Sequence, residues 1–359
     1  MSGSKTVLVT GTSGFIAQHI VDNLLNKGYR VIGTTRSESK NTFLRKEYRC
    51  RYENCQLEFE VVSDISVDKA FDKIFINHPE IQYVIHTASP FFYGSEKPLD
   101  EAYLVPALKG TLNILLAITQ FAPQVTNVVI TSSFAAMKQM DETYTTHVHN
   151  NETWNPIKWE EVKTENDAYV ASKTYAEKAA REFLRENNPN FSLATVNPPY
   201  VFGPQCFDSS VGLVLNTSNE ILNTVTKLDP SLRSPQVMFG ALAIDVRDVA
   251  EFHVKALEIP ALASERIFIA AEPITAQKVL DVLNNCCPTF SGKIARGDPS
   301  QTANLLEKYC PKYDLTHTLR LIGDYKFISL QQSLTDVYSQ YFKVNTYQID
   351  DRIRNDSRF

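Results

Sequence analysis

Short strand-like runs and longer helix-like segments alternate through about the first 200 residues, and this alternation constrains the fold more than any other feature. The runs are rich in Val, Ile, Leu and Thr, and we predict strands at 5–10, 29–35, 57–62, 82–88, 126–133 and 191–197. Helical patterns lie between them at 14–27, 66–77, 100–120 and 167–187. Nearly continuous apolar runs are typical of strands buried on both faces. The pattern therefore predicts an α/β fold built on a doubly wound parallel sheet.

The amino-acid composition changes after Asn197. The segment PPYVFGPQ is rich in proline and glycine, which predicts that the chain leaves the sheet here. The stretch 239–258 predicts a strand and a helix that return to the first domain, and 266–271 predicts a further strand. We therefore expect a first domain at 1–198 and 239–272, a smaller C-terminal domain at 199–238 and 273–345, and a loose polar tail at 346–359.

Charge and cysteine usage narrow the classes of partner. The chain of 359 residues carries 36 basic and 41 acidic side chains, for a net charge of −5, which gives no broad attraction for nucleic acid or anionic lipid. Its six cysteines show no zinc-ligand spacing, so we expect no bound metal. We see no signal peptide and no run approaching about 20 apolar residues, and we expect a cytoplasmic protein without membrane contact. The predicted partner is a small molecule, and a monomer and a homodimer both stay open.

A glycine-rich turn follows the first predicted strand directly. In TGTSGFIA (10–17), Gly11, Gly14 and Ala17 recur every three residues, and the 14–27 helix begins there. Gly11 permits a tight turn, Gly14 lets a pyrophosphate approach the backbone, and Ala17 lets the helix pack closely on the sheet. The helix N-terminus then faces the phosphates. A strand–helix turn without ligand can use the same glycines, but in this context the pattern predicts a dinucleotide site.

The end of the second predicted strand indicates which dinucleotide binds. NAD sites place a carboxylate there for the ribose 2′-hydroxyl, whereas this strand ends in Thr35 followed by Arg36. Arginine can form a forked pair with a 2′-phosphate, and Lys40 lies one helical turn further along the same side. We therefore predict NADPH as the cofactor, with Glu38 close enough to weaken the prediction.

Three polar residues form the predicted catalytic group. Tyr169 and Lys173 in YVASK stand four residues apart, so both side chains leave one face of the 167–187 helix. Free tyrosine has a pKa of about 10, and an ammonium one turn away favours the phenolate, so Tyr169 can exchange a proton with a carbonyl or an alcohol. Ser133 ends the fifth strand, where its hydroxyl can hydrogen-bond the substrate oxygen, while the neighbouring Ser132 faces the opposite side.

These motifs together resemble the extended short-chain dehydrogenase/reductases. The resemblance rests on TGTSGFIA, Arg36, HTASP (86–90), VVITSS, YVASK and NPPYVFGP (197–204). The segments GFIAQHIV, HTASPF, ETWNP, AEKAAREFL, YVFGPQ, LNTS and DVRDVA are similar to fungal NADPH-dependent methylglyoxal and aldehyde reductases, and plant dihydroflavonol reductases are more distant relatives. The resemblance covers about residues 5–290 and implies a Rossmann domain with a small C-terminal substrate domain.

The resemblance also implies a role for individual residues. It implies that Ser133, Tyr169 and Lys173 are the active triad and that Asn113 positions a proton-relay water. It implies cofactor contacts from Gly11, Gly14, Phe15, Ile16, Arg36, Lys40, Asp64, Ile65, Thr87, Ala88, Tyr169, Lys173, Val201 and Ser218. The implied substrate pocket is lined by Phe91, Phe134 and Tyr200.

The residues leave three functions to compare. The first is NADPH-dependent reduction of aldehydes or ketones to alcohols, with a small carbonyl compound as substrate. The second is a nucleotide-sugar epimerase or dehydratase, which would keep NAD bound and would want the acidic residue that Arg36 replaces. The third is a non-catalytic NADPH-sensing protein, in which Tyr169 and Lys173 would have no purpose.

Two departures from the family pattern affect the pocket. Phe134 stands where relatives often have tyrosine, so a polar contact to the substrate is lost. The segment 137–150 matches no family pattern, and its His147 and His149 are expected in an exposed loop.

Overall fold

The computed structural model describes residues 5–89, 94–139 and 144–355, with side chains described as far as Asn345. Its strands are β1 (Thr6–Thr10), β2 (Arg30–Thr35), β3 (Leu57–Val61), β4 (Ile81–His86), β5 (Asn127–Thr131), β6 (Val148–His149), β7 (Ser192–Asn197), β8 (Tyr200–Phe202), β9 (Gly240–Asp245), β10 (Arg266–Phe268), β11 (Glu272–Thr275) and β12 (Lys312–Tyr313). Its α-helices are α1 (Phe15–Asn26), α2 (Glu38–Arg51), α3 (Asp72–Asn77), α4 (Val105–Phe121), α5 (Glu165–Asn187), α6 (Thr217–Thr226), α7 (Val246–Glu258), α8 (Ala276–Cys286), α9 (Thr302–Tyr309), α10 (Thr316–Ile322) and α11 (Leu330–Asn355).

A parallel sheet in the order β10-β7-β5-β4-β1-β2-β3 forms the centre of the first domain. The strand order reverses direction between β1 and β4, which opens a crevice at their carboxyl ends. All five residues of β1 are buried because both faces of the sheet are covered, and this explains their apolar and β-branched character. The predicted doubly wound α/β fold is confirmed.

Helices cover both faces of this sheet. On one face α1 and α7 bury Ile20, Leu24 and Phe252 against the strands. On the other face α4 and α5 bury Ile114 and Phe183. The two apolar layers hold the carboxyl ends of the strands rigidly, and those ends carry the site.

The smaller domain contains a second sheet, in the order β11-β9-β8. Helices α6, α8 and α11 pack on it through an apolar cluster that includes Leu222, Leu283 and Leu334. A short parallel pair, β6 with β12, joins the segment after β5 to the C-terminal part of the chain.

The position of β9 differs from the expectation that 239–258 returns to the first sheet. Helix α7 does pack in the core of the first domain, and β10 does pair with β7. However, β9 pairs with β8 and β11 in the smaller sheet. In the large sheet β10 takes the position next to β7, whereas β9 is paired on both sides within the smaller sheet. The predicted boundary at residue 239 is therefore wrong for the strand.

Two further segments differ from the sequence prediction. The helix expected at 66–77 is reduced to α3, because Lys69 adopts a left-handed φ of 65° that interrupts the helical path. The tail expected at 346–359 is helical as far as Asn355, because α11 continues across a kink at Asn345.

One helix is long and apolar enough to cross a membrane, which the sequence analysis did not expect. It spans Asp100–Phe121, where one π-helical turn runs into α4, and 56% of its most apolar window is buried inside the structure. Ile114 and Leu115 of this helix lie in the core between the sheet and α5, so packing accounts for its apolar composition.

Candidate active site

The glycine turn brings the end of β1 against the end of β4. Gly11 has a φ of +69°, and a Cβ there would lie 3.0 Å from the Ala88 Cα. Only glycine combines that backbone conformation with so close an approach. Gly14 is the N-cap of α1 and provides no side-chain cap, so the first amides of the helix point into the crevice without a protein acceptor from this cap.

Thr10 organises the opposite wall of the turn. Its hydroxyl contacts His86 Nδ1 at 2.9 Å and accepts from the backbone N–H groups of Thr87 at 3.2 Å and Ala88 at 3.1 Å. The Thr87 hydroxyl in turn donates to the Thr10 carbonyl at 2.5 Å. Burial lowers the pKa of His86 to about 3, so this histidine is a neutral, packed strand residue.

Arg36 lies at the end of β2 with its side chain exposed along the crevice. Glu38, the carboxylate that argued for NAD, bonds the Asn41 amide at 3.0 Å and the Arg45 guanidinium at 3.4 Å, and so is engaged on its own helix. Asp64 accepts from the Ser66 hydroxyl at 2.7 Å and its backbone N–H at 2.8 Å, and these bonds lower the pKa of Asp64. The ribose end therefore presents the Arg36 guanidinium, while Glu38 and Asp64 are each engaged by neighbouring residues.

Ser133 and Tyr169 meet at the centre of the crevice. Ser133 caps the 3₁₀ turn Phe134–Ala136, and its Oγ accepts from the Ala135 N–H at 3.0 Å. The Tyr169 hydroxyl donates to the same Oγ at 3.5 Å, the long limit of a hydrogen bond. A carbonyl oxygen placed between the two hydroxyls could accept from both.

Lys173 lies one turn along α5 from Tyr169, as its spacing predicted. Its Nζ donates to the Thr131 carbonyl at 3.4 Å. Burial lowers the pKa of Lys173 to about 8, while the charge of Glu177 acts in the opposite direction. The helix that carries these residues begins with a reciprocal cap, in which Thr164 and Asp167 bond each other's backbone N–H groups.

Glu177 is the polar residue that the sequence analysis missed. It is buried, one further turn along α5, and its carboxylate pairs with Arg266 at 2.5 Å. It also accepts from the Ser132 hydroxyl at 2.5 Å and the Asn197 amide at 2.8 Å. The spacing of Tyr169, Lys173 and Glu177 at i, i+4 and i+8 was the available signal.

This network separates the two neighbouring serines. Ser132 is bound to Glu177 behind the sheet end, whereas Ser133 bonds Tyr169 in the crevice. Asn197 donates to both Glu177 and the Ser133 carbonyl, at 2.8 Å and 3.2 Å, and so joins the buried carboxylate to the catalytic loop. The sequence-based choice of Ser133 over Ser132 agrees with this arrangement.

The substrate end of the crevice is aromatic. Phe134 forms its floor, stacked on Phe268 at 5.3 Å between ring centres. Tyr200, Tyr144 and Lys138 line the same end. The whole crevice encloses about 1200 Å³, enough for a dinucleotide and a small guest.

Most of the residues assigned from sequence line this one crevice. They are Gly11, Gly14, Phe15, Ile16, Arg36, Asp64, Ile65, Thr87, Ala88, Ser133, Phe134, Tyr169, Lys173, Tyr200, Val201 and Ser218. Lys40 is exposed in the first turn of α2 and does not line it. Phe91 lies outside the described residues. Among the residues that the structure does describe, no group of three or more His, Cys, Asp or Glu side chains could hold a metal ion.

The side-chain amide of Asn113 donates to the carbonyls of Ile65 and Val67, each at 2.9 Å, so it holds the loop after β3, and the relay-water role implied by the resemblance stays a prediction. One other expectation is wrong. His149 is fully buried in β6 and not in an exposed loop, because β6 pairs with β12.

The crevice at the strand reversal and the serine–tyrosine–lysine group define the short-chain dehydrogenase/reductase class of nucleotide-binding proteins. The model of the NAD dependent epimerase/dehydratase family matches residues 7–270, and the chain belongs to this family.

Similar proteins include several fungal reductases. The NADPH-dependent methylglyoxal reductase of Saccharomyces cerevisiae is 41% identical over 352 residues, which cover 94% of this chain and 98% of that protein. A ketoreductase of Aspergillus niger is 33% identical over 320 residues, covering 89% and 93%. The crystal structure of a yeast methylglyoxal/isovaleraldehyde reductase complexed with NADPH superposes with a TM-score of 0.88 at 39% identity, covering 95% and 99%.

Proposed function

We propose that the protein is an NADPH-dependent carbonyl reductase that converts aldehydes or ketones to alcohols. The observation that carries the proposal is the meeting of the Tyr169 and Ser133 hydroxyls in the crevice, with the partly buried Lys173 one helical turn away. The fungal relatives named above support it, since they are described as reductases of carbonyl compounds. Methylglyoxal and related aldehydes are accordingly the first substrates to test.

The chain's own residues fit NADPH. The pyrophosphate would lie on the amides at the start of α1, beside Gly11 and Gly14, which line the crevice. The Arg36 guanidinium would face the 2′-phosphate, for which a forked arginine pair is well suited. Thr87, Val201 and Ser218 line the crevice and would border the nicotinamide end.

NADPH, when bound, supplies the hydride that reaches the carbonyl carbon. Ser133 Oγ donates a hydrogen bond to the carbonyl oxygen and holds it against Tyr169. The Tyr169 hydroxyl transfers its proton to that oxygen as negative charge develops there. Lys173 favours the resulting phenolate through its positive charge, and Glu177 keeps that lysine charged in a buried position.

Replacing one hydroxyl tests the mechanism. Tyr169→Phe removes the proton donor and should lower kcat by about 10²- to 10⁴-fold, while the Kd for NADPH stays within about threefold because the phosphate contacts are untouched. Tyr175→Phe is a matched control, since Tyr175 lies on the same helix and its hydroxyl bonds Trp159 away from the crevice. Turnover is followed by the loss of NADPH absorbance with a panel of aldehydes and ketones.

Two outcomes would contradict the proposal. Normal turnover by Tyr169→Phe would remove the assigned proton donor. Purified protein that retains NAD and oxidises no NADPH with any carbonyl compound would point to epimerase or dehydratase chemistry.

We further propose a cytoplasmic location and small-molecule partners. The net charge of −5 supports the second point, since it gives no broad attraction for nucleic acid or anionic lipid. Monomer and homodimer are both compatible with this proposal.

A further inference from the structure

Lys138 places an ammonium group at the substrate end of the crevice. It follows the turn Phe134–Ala136 that Ser133 caps, and its backbone N–H donates to the Phe134 carbonyl at 2.9 Å. Its side chain lines the same crevice as Ser133 and Tyr169 and is only partly exposed. Its Nζ lies 5.9 Å from the centre of the Tyr144 ring. The ammonium therefore lies beside Tyr144, which lines the same crevice.

This ammonium has no counter-charge among the side chains described up to Asn345. The titratable side chains that interact with it are Tyr144 and His149. Burial raises the pKa of Tyr144 and lowers the pKa of His149, so neither is negative at neutral pH. His149 accepts from the Gln139 N–H at 3.0 Å and bonds the Lys312 carbonyl at 3.0 Å, so both its ring nitrogens are engaged. Burial lowers the pKa of Lys138, as expected for an ammonium that is poorly solvated.

A partly desolvated cation that lacks an anion gains more from a carboxylate ligand than a solvated surface lysine does. The neighbouring walls, Phe134, Tyr200 and Leu242, are aromatic or apolar and would accept the carbon skeleton of a ligand. We propose that the preferred substrates are oxo acids, in which Lys138 binds the carboxylate while Ser133 and Tyr169 bind the carbonyl oxygen. This inference rests on the proposed reductase function and specifies its substrate class.

The distance between Ser133 and Lys138 limits which substrates can contact both residues. Lys138 stands five positions after Ser133, and a helical path of that length spans roughly 8 to 10 Å. The flexible lysine stem shortens this distance, so a carboxylate two or three carbons from the carbonyl could reach both groups. In the reaction the C=O becomes CH–OH, with one hydride from NADPH and one proton from Tyr169, and the carboxylate is unchanged.

A matched pair of substrates isolates the charge. 4-Oxopentanoate and pentan-2-one differ only in a carboxylate that replaces a methyl group. The ratio of their kcat/KM values should favour the oxo acid in the wild type and fall at least tenfold in Lys138→Met, which keeps most of the apolar stem. Lys138→Arg should retain most of the preference. Lys109→Met, an exposed lysine of α4 that does not line the crevice, is the control.

Two further measurements make the result independent of turnover and of the neighbouring loop. Pentanoate, which keeps the carboxylate but has no ketone to be reduced, should inhibit competitively. Its inhibition constant should rise at least tenfold in Lys138→Met. The sequence places Asp141 and Glu142 shortly after Lys138, so the double variant Asp141→Asn/Glu142→Gln should leave the substrate ratio unchanged.

The possible failures are distinct. If the wild type and Lys138→Met show the same ratio of kcat/KM values for 4-oxopentanoate and pentan-2-one, and both still reduce pentan-2-one, the inference is overturned and the reductase proposal stays intact. A preference for the oxo acid that emerges only in the double variant would show that the loop, and not a substrate, pairs with Lys138. Absence of turnover with any carbonyl compound would overturn both proposals.

Discussion

The Glu177→Gln variant tests how a buried carboxylate keeps Lys173 charged. Burial opposes the ionisation of Glu177, but Arg266 and Ser132 outweigh it and hold the pKa of the carboxyl below its usual range. Side chains four residues apart on a helix are about 6 Å apart, and two charges at that distance interact by roughly 2.8 kcal/mol at an effective dielectric of 20. That energy corresponds to a shift of about two units in the pKa of Lys173. The arginines next to Glu177 offset part of its charge, and we therefore expect a net shift of about one unit.

The expected readout is the pH profile of kcat at saturating NADPH. Lys173 acts as an ammonium, so activity is present below its pKa and is lost as the pH rises through about 8. In Glu177→Gln this alkaline limb should move down by about one unit. The same variant leaves Arg266 without its counter-charge in a buried position, which should cost about 3–5 kcal/mol of unfolding free energy.

A matched control is available on the same helix. Glu182→Gln removes a carboxylate that pairs with Arg185 at the exposed surface, and it should change neither the pH profile nor, by more than about 1 kcal/mol, the stability. An unchanged alkaline limb in folded Glu177→Gln, verified by circular dichroism, would refute the electrostatic role assigned to Glu177.

Three other predictions concern the cofactor and the acid stability of the fold. Arg36→Leu should raise the KM for NADPH at least tenfold and leave that for NADH nearly unchanged; equal kcat/KM with the two cofactors in the wild type would contradict the assignment. Gly11→Ala forces a side chain into a left-handed conformation beside Ala88, and titration should show weaker NADPH binding with a loss of about 1–3 kcal/mol in stability. Burial lowers the pKa of His86 to about 3 and of His253 to about 4, below the unfolded value of about 6.5, so both stay neutral when folded. Their contribution to the free energy of unfolding is complete above pH about 6.5 and decreases as the pH falls, by about 2 kcal/mol each at pH 5. Urea titrations that give the same free energy of unfolding at pH 7 and pH 5 would contradict this prediction.

The parts of the fold that could be predicted are those with local signals. Each of the six early β-branched runs forms a strand of the large sheet, because burial on both faces requires an apolar run. The glycine turn is equally local, since the positive φ of Gly11 and the close approach of Ala88 leave little choice of residue. Tyr169 and Lys173 were found because helical spacing alone places them on one face.

The missed features depend on contacts between distant parts of the chain. The strand β9 could fit either sheet by its apolar sequence, and its position depends on pairing with β8 and β11. Glu177 follows Lys173 at helical spacing, but its partner Arg266 is 89 residues away, and nothing local connects them. The side-chain partners of Asn113, the carbonyls of Ile65 and Val67, are also distant in the chain and belong to a loop without a sequence signature.

The pairing of Glu177 with Arg266 has a consequence for biosynthesis. A ribosome completes the helix that carries Tyr169 and Lys173 well before it adds the strand that supplies the guanidinium. Until that strand emerges, the Glu177 carboxylate lacks its shortest ion pair, and only Arg181 and Lys173 of the same helix offset its charge. We therefore expect the region around α5 to pack incompletely during translation and to reach its final packing only after the last strand of the large sheet has been synthesised.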